Sequence, residues 1–125
     1  MAFAGVIIGP KGDKGDSAEA GLYVPFSFGD ATPKTIGPNE ANKLIERVTI
    51  IITTPFNGVG ATLAIGDSGT PMGLMEATDN EPQTPATYQV HPNVSFADTR
   101  NLLLTIVPGA GATQGAGIVS ITFQQ

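Results

Sequence analysis

"GIVSITFQ", Gly117 to Gln124, decides how the rest of this chain is read. Val119, Ile121 and Phe123 alternate with Ser120, Thr122 and Gln124. A period of two puts the apolar set on one face of a strand and the polar set on the other. Just before it, "PGAGATQGAG" (108–117) is a run of small side chains that reads as a hairpin loop, and "NLLLTIV" (101–107) reads as the strand entering it. The same texture continues towards the N-terminus. "ATYQVHP" (86–92) and "ATLAIG" (61–66) are short β-type runs, and "RVTIIITT" (47–54) is dense in β-branched residues. In "LYVPFSF" (22–28), Pro25 marks an edge or irregular strand. Asn57-Gly58 is a turn signal. "PMGLMEA" (71–77) has no clean period, and "PNEANKLIERV" (38–48), with Leu44, Ile45 and Val48 at helical spacing, reads as a turn feeding a strand. Seven or eight short strands at roughly ten-residue spacing predict an all-β domain over 22–125, an antiparallel β-sandwich or jelly roll. No βαβ alternation is present, which argues against a parallel nucleotide-binding sheet.

Residues 1–21 are different material. Met1 to Ile8 is a short apolar leader, and "GPKGDKGDS" (9–17) carries Gly9, Gly12 and Gly15 in a strict period of three. That is the collagen rhythm, in which only glycine fits at the axis of three wound chains. The repeated unit Lys11-Gly12-Asp13, Lys14-Gly15-Asp16 lets a lysine of one chain reach an aspartate of the next. Nine residues span only about 28 Å in that conformation. With Pro10 as the repeat's one proline, the piece cannot hold three chains together alone, so a trimer must come mainly from the β domain. The triplets are then its stalk, and a flexible glycine-rich linker is the other reading of the same residues. Met1, Phe3, Val6, Ile7 and Ile8 put large apolar side chains at the tip of this arm. Burying each would gain about 1.5–3 kcal/mol, which suits an anchor on another protein.

Composition narrows the function classes. Charged residues are 14% of the chain, well below the roughly 25% of ordinary soluble domains, so much of the surface is expected against other protein. The net charge is −5, and the six Lys and Arg stand scattered at 11, 14, 34, 43, 47 and 100. Nucleic-acid binding needs clustered positive charge. The absence of cysteine removes disulfides and thiolate chemistry. No run approaches the roughly 20 apolar residues of a membrane span, and the leader lacks the basic start of a secretory signal.

Catalytic chemistry finds little to stand on. His91 with Ser95 and Asp98 has the residue types of a triad, but closeness in sequence is no evidence of one, and no G-x-S-x-G elbow exists. The glycine-rich 108–117 run lacks the lysine of a phosphate loop, and Gln114 stands where a dinucleotide fingerprint needs glycine. Asp67, Asp79, Glu81 and Asp98 gather in loops without calcium-loop spacing and read as solvated turn residues. No cofactor, metal or enzymatic activity is expected.

From about Ile45 to Phe123 the chain resembles small virion structural proteins of tailed bacteriophages, the capsid decoration and head-fibre family. The resemblance lies in "VTIIITTPFNGVGATLAIGD" (48–67), "LMEATDNEPQTPATYQVHPN" (74–93) and "LLLTIVPGAGATQGAGIVSITF" (102–123). It implies a homotrimer on the outer surface of the phage head, bound to the major capsid protein as a decoration or cement protein. A head-fibre or tail-fibre component binding a host-surface glycan or protein is the alternative it allows.

Overall fold

The computed structural model describes residues 21–124. The expected anchor residues Met1, Phe3, Val6, Ile7 and Ile8, and the stalk residues Gly9, Lys11, Gly12, Asp13, Lys14, Gly15 and Asp16, lie outside them.

The described body has seven strands: β1 (Gly21–Ser27), β2 (Lys34–Asn39), β3 (Ile45–Thr54), β4 (Thr62–Gly66), β5 (Thr87–Val90), β6 (Arg100–Val107) and β7 (Ala116–Phe123). One 3₁₀ turn, Ala77–Asp79, interrupts the long loop between β4 and β5. The strands form two antiparallel sheets, β1-β7-β3-β5 and β2-β6-β4. The alternation in "GIVSITFQ" does what its period demands. Gly117, Val119, Ile121 and Phe123 are buried, while Ile118, Ser120 and Thr122 are half-buried on the other face.

The pairing is nested. β1 pairs with β7, β2 with β6, and β3 with β5. Innermost, Ile65 of β4 bridges to Met75. Successive strands therefore alternate between the two sheets, as if one long hairpin had been folded over on itself. This is jelly-roll wrapping, with the eighth strand reduced to the backbone bonds that Leu74 and Met75 exchange with Ile65 at 2.9–3.0 Å. "PMGLMEA" resists a periodic reading because only these two residues pair and bury. β3 and β7 share the longest ladder, from Ile45 opposite Phe123 to Thr54 opposite Ala116.

One core lies between the sheets. Val48, Ile50, Ile52, Val119 and Ile121 face Leu63, Ile65, Leu102, Leu104 and Ile106, with Phe26, Phe56 and Met75 filling the ends. Gly117 is required where the central strand passes Phe26. A Cβ there would stand 2.3 Å from the Ile51 carbonyl oxygen and 2.8 Å from the Phe26 ring.

Two sequence expectations change. "KTIGPN" (34–39) is strand β2, which the Gly37-Pro38 pair disguises as a turn. A bulge between Thr35 and Gly37 leaves Ile36 unpaired in the ladder and buried in the core. The 108–117 run is not a hairpin loop, since β6 and β7 belong to different sheets. It crosses the end of the sandwich and is bound to the 55–60 loop by the Val59–Ala110 bridge and by Asn57 Oδ1, which accepts from the amides of Thr113 and Gln114 at 2.9 and 3.2 Å. The chain from 38 to 48 divides into the end of β2, a turn and the start of β3, as the turn-then-strand reading expected. β1, the Pro25 strand, lies at a sheet edge.

Candidate interaction surfaces

The outward face of the four-stranded sheet follows from register. Tyr23, Ser120, Thr49 and Gln89 form one row across β1, β7, β3 and β5. Pro25, Ile118, Ile51 and Thr87 form the next, and Gly21, Thr122 and Arg47 the one before. These rows carry hydroxyls, an amide and aliphatic carbon, and no carboxylate. Arg47 is the only charge in the paired rows, and its Nη2 donates to Thr122 Oγ1 at 3.5 Å. The exposed Glu46 stands next to it at the bulge between Ile45 and Arg47. Tyr23 stands 67% exposed. A broad neutral sheet face of this kind is cheap to desolvate, because little charge must be stripped of water when another protein covers it.

The other polar centre sits where β4 ends and β6 begins. Asp67 is only 6% exposed. Its Oδ1 accepts from the amides of Gly69 and Thr70 at 2.9 and 2.8 Å and from Thr70 Oγ1 at 3.0 Å. Its Oδ2 accepts from Arg100 Nη1 at 2.9 Å. The Arg100 hydrogen bond, helped by those of Thr70 and Gly69 and opposed by burial, holds the Asp67 carboxyl well below its ordinary 3.8, at about 2. Arg100 also donates from Nε and Nη2 to Asp98 Oδ1, and its guanidinium lies 4.0 Å from the Phe96 ring centroid. Asp98 first and Asp67 second raise the Arg100 pKa above its ordinary value. The recess over these groups is lined by Asp67, Ser68, Gly69, Asp98, Arg100, Asn101 and Leu103. Its one cation already serves two carboxylates, so the arrangement ties three chain segments together and has little left to offer an anion.

The remaining candidate chemistry disperses. Ser95, Asp98 and His91 are all exposed, and the Asp98 carboxylate is engaged by Arg100. Asp79 Oδ2 accepts from the Glu76 amide at 3.0 Å and caps the 3₁₀ turn. Among the described residues no three His, Asp or Glu side chains converge as a metal site would require. Tyr88 Oη reaches the carbonyls of Glu81 and Thr84 at 3.0 and 2.9 Å and so latches its own loop. Arg100 is the residue that sequence reading missed. Its partners lie 33 and 2 positions away, and Asp67 in "GDSGT", expected as a solvated turn residue, is instead buried because Arg100 and the 69–70 turn satisfy its carboxylate.

No family model matches this chain, and no curated protein matches it. Among solved structures, the cyanophage Pam1 capsid asymmetric unit contains a chain of similar fold, with a TM-score of 0.63 over 90% of this chain and 90% of that one, at 16% identity. At that identity the likeness is one of fold, and it extends over nearly the whole of both chains.

Proposed function

We propose that this protein is a non-enzymatic capsid decoration, or cement, protein of a tailed bacteriophage, acting as a homotrimer on the outer surface of the head. The observation that carries the reading is the nearly full-length fold likeness to a chain of the cyanophage Pam1 capsid asymmetric unit. The neutral face of the four-stranded sheet supports it, since cement works by covering protein surface across subunit junctions. Binding energy gained only on the assembled shell adds to the shell's stability by mass action. In this reading Met1, Phe3, Val6, Ile7 and Ile8 of three arms pack on the major capsid protein, and the Gly9–Ser17 triplets are the stalk above that anchor. A fibre that binds a host-surface glycan draws less support. Tyr88 is committed to its loop, leaving Tyr23 as the exposed tyrosine and no wider aromatic platform among the described residues.

Co-sedimentation with separated phage heads and tails, with and without residues 1–8, tests this. Saturable binding to heads that is lost with the arm is expected. Binding to tails or host cells instead overturns the cement role, and undiminished head binding without residues 1–8 overturns the arm as anchor.

A further inference from the structure

The tether between stalk and body is short. Ser17 closes the last triplet and Gly21 opens β1, so four Cα-to-Cα steps separate them. At full extension that is about 14 Å. Where three triplet segments wind about one axis, the Gly21 end of each body must lie within about 14 Å of the bundle. The far end of β1 is about 20 Å further along the strand, out of reach. The tether therefore selects which end of the sandwich meets its copies.

The surface at that end has the makings of a contact. Leu22, Pro38 and Phe123 line an apolar recess beside Gly21, rimmed by Glu40 and Lys43. These two charges sit at opposite ends of one turn, closed by the Lys43 amide donating to the Glu40 carbonyl at 3.1 Å. Lys43 Nζ rests 5.8 Å from the Phe123 ring centroid. Among the described residues neither charge forms an ion pair. Elsewhere Lys34 pairs with Asp30 and Arg100 with Asp67 and Asp98, while Arg47 donates to Thr122 Oγ1.

We propose that this end of the sandwich is the threefold contact between copies of this chain, with Glu40 of one copy facing Lys43 of the next around the axis. The inference rests on the trimeric stalk reading above. A head-to-tail contact closes into a ring when each copy carries complementary groups on its two flanks, and an anion and a cation on one turn beside the tether supply that pair. The apolar recess between them gives the contact its buried centre.

Charge exchange in the full-length chain tests it. Glu40→Lys and Lys43→Glu each place like charges around the ring and should weaken trimer association by about tenfold or more, while the double exchange E40K/K43E should restore it. The readout is solution mass against concentration by light scattering, with melting temperature as a folding control. A wild-type trimer whose two single variants dissociate no more readily than it does overturns this contact and leaves the trimer standing. A wild-type chain that stays at 12.8 kDa at every concentration overturns the trimer and the contact together. Restoration by the double variant is the result a mere folding defect does not give.

Discussion

The neutral face of the four-stranded sheet and the Arg100 centre beside the three-stranded sheet treat polarity in opposite ways. On the sheet face, hydroxyl, amide and aliphatic side chains stand in register rows with Arg47 as the only charge. At the Arg100 centre, one cation and two carboxylates are gathered within hydrogen-bond distance and joined to backbone amides. The difference teaches where each surface spends its interactions. The charged centre turns inward and fastens the chain to itself: the loop after β4, the 96–98 segment and the start of β6 all meet on Arg100. Beyond its own ladders the neutral face adds only the long Arg47–Thr122 hydrogen bond, which leaves it open to another protein at low desolvation cost.

The comparison makes graded predictions. The largest effect belongs to neither surface but to the core that supports both. Ile121 is fully buried on the central strand, so Ile121→Ala should cost about 2–5 kcal/mol, measured by urea unfolding, and should collapse the distinction by destabilising the whole sandwich. Next comes Asp67→Asn. It removes a nearly buried carboxylate that accepts four hydrogen bonds. A loss of about 1.5–3 kcal/mol is expected for hydrogen bonds to a charged group, read as a melting temperature lower by roughly 5–15 °C.

The same residue predicts a pH signature. Its carboxyl is depressed from 3.8 to about 2 in the folded chain. The stabilisation it supplies is therefore complete above about pH 4 and is lost as the pH falls through about 2. Wild-type melting temperature should drop across that window more steeply than that of Asp67→Asn, and parallel curves would contradict the assignment. The smallest effect is at Asp98, whose side chain is 69% exposed. Asp98→Ala should leave the melting temperature within about 2 °C of wild type, since exposed ion pairs contribute little.

How much of this was legible beforehand depended on whether the cause was local. The alternation in 117–124 and the β-branched run in 47–54 name their strands directly, because burial on one face imposes a period of two on neighbouring residues. β2 was hidden because its bulge and its Gly37-Pro38 pair break that period within six residues. Sheet membership was hidden too. A short glycine-rich run between two strands fits a hairpin and a sheet-to-sheet crossing equally well, and only the nested pairing of β1 with β7 and β2 with β6 decides. The neutral face could not be read along the chain, since its rows join residues from four strands. Arg100 was invisible for the same reason. Low overall charge raised the expectation of surface against other protein but could not say which face that would be.

The measurement that tests the account most directly is head binding by two folded variants, one on each surface. Ile118→Lys puts a charge in the middle of the neutral face, and Asp98→Ala alters the Arg100 centre. With both melting temperatures checked, co-sedimentation with purified heads should be abolished by Ile118→Lys and unchanged by Asp98→Ala. Wild-type binding by Ile118→Lys would contradict the claim that the neutral sheet face is the surface the shell covers.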